Sequence, residues 1–145
     1  MLSNIVAAIE SACTELTKEF LFGTIAEDLN NPSKAYSELV FLQIPFSGQA
    51  SESLLRHGSG YIGYTLDLYV LEKYNDAQRQ TTTKQAAWDN AMNTLIGVVN
   101  KACELDRNLQ RSISGQQSHN EILRFGNGQY ISVRMTLNFN NYWKC

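Results

Sequence analysis

Length, composition and charge limit what this chain can be. It has 145 residues, of which 43% are hydrophobic and 18% are charged. These values predict one folded domain over residues 1–145 and exclude a disordered chain. The net charge is −2 and no run of basic residues occurs, so we do not expect the chain to bind DNA through its phosphates.

The cysteines and the apolar runs exclude further classes of protein. Cys13, Cys103 and Cys145 have no short spacing, which argues against a disulfide framework and against a CxxC metal site. Cys13 and Cys103 fall in apolar helical stripes, as reduced cysteines do in a reducing compartment. The N-terminal stretch lacks a basic region and no apolar run approaches about 18 residues. We therefore expect neither a signal peptide nor a membrane span.

The first part of the chain predicts a helix followed by a strand. Apolar residues recur at helical spacing over residues 3–20, which gives the helix one apolar stripe. A turn cluster at residues 30–33 separates it from a strand over residues 37–45. In the centre of that strand, both the odd and the even positions are apolar. We expect it to be covered on both faces, by a helix and by a neighbouring subunit.

A long strand over residues 60–75 is the predicted centre of the fold. Its even positions from Ile62 to Val70 are apolar, while its odd positions are mostly polar and include Tyr69. This alternation predicts a buried face and a mixed or wet face. The connection before it, residues 46–59, is too long for a tight hairpin. Its Leu54 and Leu55 predict either a short helical turn or a contact with a partner.

The second half predicts a helix and a hairpin. A capping box at Thr82 and Gln85 begins a helix over residues 84–105. Residues 108–120 are polar and rich in turn formers. Two strands follow at 121–125 and 129–139, joined by the Gly-Asn-Gly turn at 126–128. The order α-β-β-α-β-β predicts an α+β fold, with a mostly antiparallel sheet of about four strands and two helices on one face.

We find no arrangement of residues that predicts catalysis. The two histidines, His57 and His119, lie in polar segments, and no carboxylate or cysteine stands at a metal-ligand spacing from either. The usual pairs of nucleophile and base are also missing. We therefore expect a protein that is not an enzyme and that has no catalytic residues, no cofactor and no metal.

One family fits the order of the elements. The chain opens with a helix containing Ile-Val-Ala-Ala-Ile-Glu at residues 5–10 and continues with Leu-Val-Phe-Leu-Gln-Ile at 39–44. A long strand, Tyr-Ile-Gly-Tyr-Thr-Leu-Asp-Leu-Tyr-Val at 61–70, precedes the second helix, and an alternating strand follows at 130–139. In this order the chain resembles the tail-terminator and neck (head–tail joining) proteins of tailed bacteriophages. It departs from them in the long 46–59 loop and the polar 108–120 segment.

The resemblance implies a structural protein of the virion, assembled in the host cytoplasm. Six or twelve copies would form a ring beside portal, connector or tail proteins, and DNA would pass through the lumen without specific binding. The slightly acidic chain agrees with such a conduit.

A ring needs one patch that meets a different patch on the neighbouring copy. From exposed sheet edges and terminal aromatics we expect these contacts at Leu54, Leu55, Tyr69, Tyr142 and Trp143. The alternative is a small dimeric intracellular α+β module that binds a ligand or a protein through its loops.

Overall fold

The structure is a computed structural model that describes residues 2–24, 38–43, 47–74, 81–125 and 128–144. Within these ranges only the backbone is described for residues 47–49, 74, 81–84, 111–125, 128–129, 141 and 143–144. The predicted turn at residues 30–33 and two residues of the predicted hairpin turn, 126 and 127, lie outside the described residues.

Four helices and six strands follow one another along the chain. In order they are α1 (Leu2–Glu15), β1 (Phe20–Gly23), β2 (Glu38–Gln43), β3 (Ser47–Ala50), α2 (Glu52–His57), β4 (Ser59–Tyr74), α3 (Thr81–Leu105), α4 (Arg107–Ser112), β5 (Ile113–Phe125) and β6 (Gly128–Lys144). The four predicted strands are β2, β4, β5 and β6. The short strands β1 and β3 add to them.

All six strands form one sheet, in the order β1-β2-β4-β6-β5, with β3 pairing with β4 beside β2. The β1–β2 pair is parallel and the other pairs are antiparallel. The longest ladder joins β4 to β6 without a break, from Ser59 opposite Lys144 to Tyr74 opposite Gln129. The predicted α+β class, with helices packed on a mostly antiparallel sheet, is confirmed.

The main core lies between the sheet and the helices α1 and α3. It contains the even positions of β4, Leu66, Leu68 and Val70, packed with the buried stripes of both helices. The amide of Asn90 on α3 donates a hydrogen bond to the carboxylate of Glu72, another even position. Because side chains alternate along a strand, the even positions of β4 mark the helix face of the sheet, and the odd positions mark its back face.

The back face is also buried at its centre, which corrects the predicted wet face. Asp67, Tyr69 and Leu71 are all buried, and Tyr69 and Leu71 cluster with Leu39 and Phe41 of β2. The rings of Phe41 and Tyr69 lie 6.0 Å apart. The apolar side chains on both faces of β2 are therefore buried within a single chain, and no neighbouring subunit is needed to cover them.

Polar groups on this face bond to one another across the β4–β6 ladder. The Thr136 hydroxyl donates to Asp67 Oδ1 at 2.7 Å, and the Thr65 hydroxyl donates to Asn138 Oδ1 at 2.8 Å. Such cross-strand bonds satisfy groups that would otherwise be costly to bury. They explain how a strand with polar odd positions is tolerated in a covered sheet.

The first helix ends earlier than predicted, at Glu15 instead of residue 20. Thr17 has a φ of 56°, the left-handed conformation that ends many helices. The amide of Lys18 donates to the Cys13 carbonyl at 2.8 Å, and the amide of Thr17 donates to the Thr14 carbonyl at 3.2 Å. These two bonds form a Schellman motif, which reverses the chain and lets Phe20 begin β1.

The segment 108–120, which is polar and rich in turn formers, forms most of α4 and the first part of β5. All but one residue of β5 pair with β6, and the ladder shifts register between Ser114 and Gln116, at Gly115. A bulge of this kind accommodates a glycine inside a strand. The composition of the segment does not predict this strand, because a hairpin partner supplies ladder hydrogen bonds whatever the propensity of the segment.

Replacing Thr17 by glycine should stabilise the protein by about 1 kcal/mol, because a β-branched residue is strained in the left-handed region and glycine is not. Urea unfolding monitored by circular dichroism measures the change. Thr17→Ala is the control, since alanine keeps the strain. An equal gain in both variants would show that the backbone conformation is not the cause.

The buried thiol of Cys13 should make stability depend on alkaline pH. Burial, with a smaller contribution from Glu10, raises the pKa of Cys13 from 9.0 to about 12. A group whose pKa is higher in the folded state than in the unfolded state contributes stability. That contribution is fully present below the unfolded pKa and is lost as pH rises towards the folded pKa. The stability difference between the wild type and Cys13→Ala should therefore shrink from about pH 9 to about pH 12. A constant difference over this range would contradict the assignment.

Candidate interaction surface

One end of the β4–β6 ladder is built by segments far apart in the sequence. The first residues of β4 pair with the last residues of β6, so that Gly60 lies opposite Trp143 and Tyr61 lies opposite Tyr142. On the other side of β4, Ala50 of β3 pairs with Ile62. The short helix α2 also packs here, since it joins β3 to β4.

Ser51 fixes α2 to the strand beside it. Its hydroxyl oxygen accepts hydrogen bonds from the amides of Leu54, at 3.3 Å, and Tyr61, at 2.9 Å. Its own amide donates to the Tyr61 carbonyl at 2.8 Å. One serine thus caps the helix and continues the β3–β4 ladder. The helix ends at Gly58, whose φ is 72° and whose amide donates to the Leu54 carbonyl, as a left-handed cap does.

Gly60 allows this close packing. A Cβ atom at position 60 would lie 2.2 Å from Ser51 Oγ and 2.7 Å from the backbone nitrogen of Leu54. Both distances are shorter than van der Waals contact, and the second involves a backbone atom that is fixed by the helix. Since position 60 is even, α2 lies over the helix face of the sheet.

On the back face of the same end, Tyr61 and Tyr142 form an exposed aromatic pair. Their ring centroids lie 5.4 Å apart with an interplanar angle of 72°, the edge-to-face arrangement that aromatic pairs favour. Tyr61 is 58% exposed and Tyr142 is 61% exposed. We call these two residues the tyrosine pair. A paired, half-exposed aromatic cluster is typical of a protein-contact surface.

Three of the five predicted contact residues lie at this end with described side chains. Leu55 is 76% exposed on α2, Leu54 of the same helix is half-buried against β4, and Tyr142 belongs to the tyrosine pair. Trp143 lies opposite Gly60 in the ladder, and its side chain lies outside the described residues.

Tyr69, the fifth predicted residue, does not belong to this surface. It is 4% exposed and lies in the back-face cluster. Its hydroxyl donates to Gln43 Oε1 at 3.2 Å. Eight residues of strand separate it from Tyr61, a distance of about 27 Å. The prediction was wrong because parity alone places Tyr69 on the back face without showing that the middle of that face is covered.

Tyr61 is the candidate contact residue that sequence reasoning missed. It has the same parity as Tyr69, but it stands near the beginning of the strand, where the sheet is covered less. The sequence feature that could have identified Tyr61 is the C-terminal strand. Because residue 139 pairs with residue 64, the aromatic residues near the C-terminus lie beside Tyr61. The predicted strand stopped at residue 139, whereas β6 continues to Lys144.

A second surface feature lies in the helix layer, where a groove of about 590 Å³ runs between the end of α1, the second half of α3 and α4. We call it the helix groove. Its lining includes Leu16, Gly97, Lys101, Cys103, Glu104 and Arg107. Lys101 Nζ lies 3.0 Å from Glu15 Oε2 and 3.3 Å from Glu104 Oε2. Hydrogen bonds to Glu15 and then Glu104 raise the pKa of Lys101, so its charge is balanced within the chain.

The two carboxylates that face each other across the β2–β4 ladder form an ion cluster within the fold. Glu38 lies opposite Glu72, and Lys18 Nζ lies 3.1 Å from Glu38 Oε1. Burial raises the pKa of Glu72, the bond from Asn90 opposes that shift, and Glu38 adds to it. Lys18 binds Glu38 and the amide of Asn90 binds Glu72, between the sheet and the helices. We therefore assign this pair of carboxylates to packing within the fold.

Among the described residues, no three His, Cys, Asp or Glu side chains come together in a group that could hold a metal ion. Within the same ranges, no helix has both the length and the apolar character needed to cross a membrane.

No model of a protein family matches this chain, and no curated protein matches its sequence.

Adding a methyl group at position 60 should displace α2. Gly60→Ala is expected to destabilise the protein by about 1–3 kcal/mol, the usual cost of overpacking, as measured by urea unfolding. Gly97→Ala is the matched control, because a Cβ atom there meets nothing within 4 Å and alanine favours a helix. A Gly60→Ala variant as stable as the wild type would contradict the packing of α2 described above.

Proposed function

We propose that this chain is a structural subunit of a tailed-phage virion that assembles into a ring at the neck or the end of the tail, with DNA passing through the lumen. The observation that carries the proposal is the exposed tyrosine pair at the end of the longest ladder. It supplies an aromatic contact surface on a rigid part of the sheet, next to a helix with an exposed leucine.

The tyrosine pair is suited to holding proteins together. Aromatic residues dominate the energy of protein interfaces because they bury a large area at little cost in side-chain entropy. The two ring-bearing residues are themselves directly opposite partners in the β4–β6 ladder. A partner therefore meets a preformed surface, which lowers the entropic cost of association.

The charge of the chain supports a conduit for DNA more than a DNA-binding protein. With a net charge of −2, the subunit offers no general attraction for phosphates. The ion pairs of Arg56 with Glu52 and of Lys101 with Glu15 and Glu104 balance basic groups near the surface. The partners expected in this role are further copies of the chain and neighbouring portal, connector or tail proteins.

Size-exclusion chromatography with light scattering, over a concentration series, tests the proposal. We expect a species of six or twelve copies that grows with concentration, and negative-stain images of that fraction should show rings with an open centre. The chain is expected to reach this state without nucleic acid, because the contact surface is already formed.

A dimer of constant mass at every concentration would contradict the ring and support the small dimeric module instead. A protein that stays monomeric up to the highest concentration it tolerates would contradict self-assembly.

A further inference from the structure

A glycine in the middle of α3 has no explanation within the chain. Gly97 lies inside a helix of 25 residues, where glycine is about 0.8–1.0 kcal/mol less favourable than alanine. A Cβ atom at this position would meet nothing within 4 Å. No close packing among the described residues therefore requires it. Glycine does, however, let another molecule approach the helix backbone closely.

Gly97 lines the helix groove, and the groove faces away from the sheet. The buried stripe of α3 contains Ala91, Leu95, Val98 and Ala102. At about 100° per residue, positions 97, 101 and 104 lie on another side of the helix. Besides Leu16, an exposed apolar side chain, the lining is mostly polar and includes Asn100, Glu104 and Arg107. The groove is thus an open, mostly polar depression that reaches the helix backbone at Gly97.

We propose that the helix groove of one copy receives the tyrosine pair of the next copy. This inference rests on the ring proposal and names the two patches that meet. The groove opens on the outer side of the helix layer, whereas the tyrosine pair projects from the back face of the sheet. Two different patches that meet give a head-to-tail contact, which forms a ring when the rotation between neighbouring copies closes and an open filament when it does not.

The chemistry of the two patches is complementary. Lys101 is paired with Glu15 and Glu104, so a docked ring meets no unpaired lysine there. Among the described residues Arg107 forms no ion pair, and it lines the same groove. A guanidinium favours the electron-rich face of an aromatic ring. The tyrosine pair offers two such rings and no charge.

The size of the groove also fits. Its volume of about 590 Å³ lies within the range of about 300–1,000 Å³ over which protein pockets hold small groups. The tyrosine pair is the anchor of the contact and not its whole area, since stable interfaces bury about 800 Å² on each partner. Surfaces beside the two patches supply the remainder.

Two complementary variants test the contact. The first, Tyr61→Thr with Tyr142→Thr, removes both rings and keeps residues that favour strands. The second, Gly97→Gln, fills the groove with a residue that favours helices. Each variant alone should lose higher assembly, with association at least about tenfold weaker. Each should still unfold in urea at a midpoint close to that of the wild type.

An equimolar mixture of the two variants gives the decisive result. Gly97→Gln keeps its tyrosine pair, and the variant with Tyr61→Thr and Tyr142→Thr keeps its groove. One intact contact can therefore form between the two variants. Native mass spectrometry should show a 1:1 heterodimer and no larger species. Two matched controls should assemble as the wild type does. Tyr61→Phe with Tyr142→Phe keeps both aromatic side chains. Ile96→Gln changes an exposed neighbour of Gly97 and leaves the groove open.

The other outcomes overturn the inference in distinguishable ways. If either variant alone forms wild-type rings, the ring proposal stands and this contact is wrong. If both variants fail alone and the mixture gives no heterodimer, the two patches do not meet. If the wild type itself never associates, the ring proposal and this inference both fail.

Discussion

The unbroken hydrogen-bonded ladder between β4 and β6 is the constraint on which the rest of the structure depends. It pairs 16 residues of β4 with β6. Because side chains alternate strictly along an uninterrupted ladder, one register decides the face of every residue on both strands. That register places Leu66, Leu68 and Val70 under the helices. It also places Tyr61 beside Tyr142 on the back face, although 80 positions separate them in the sequence.

The ladder extends past the helix-covered core, and the covering of the sheet changes along it. Near Val70 the side chains on both faces are buried, those of the helix-face core and those of the cluster around Phe41 and Leu71. Towards Ser59 the helix face is covered by the short helix α2, which has six residues. On the back face of this end, the tyrosine pair remains exposed. The same two strands thus provide the rigid centre of the domain and the surface that we assign to assembly.

Much of the fold follows from sequence patterns, and the failures have physical causes. The alternation of residues 60–75 and 130–139 is specific because one face of each strand is apolar over a long run, from Ile62 to Val70 and from Ile131 to Phe139. The end of α1 was misplaced because the apolar stripe continues past Thr17, whose left-handed backbone is not visible in a periodicity. The part of β5 before residue 121 was missed since its pairing comes from β6 and not from its own polar residues.

The candidate surface was predicted in part for a similar reason. Leu54, Leu55 and Tyr142 stand out as apolar residues in polar surroundings, which a sequence displays directly. The burial of Tyr69 and the exposure of Tyr61 depend on what covers each end of one strand, which is a tertiary property. The significance of Gly97 is also tertiary, because only the structure shows that the space beside it is empty.

We propose that identical copies associate head to tail through two different patches. A cryo-electron microscopy reconstruction of the assembled wild-type chain would show which patches meet. We expect a closed ring in which the back face of each subunit, at Tyr61 and Tyr142, lies against the helix layer of the next, at Gly97. A two-fold dimer in which the same patch meets itself would contradict it.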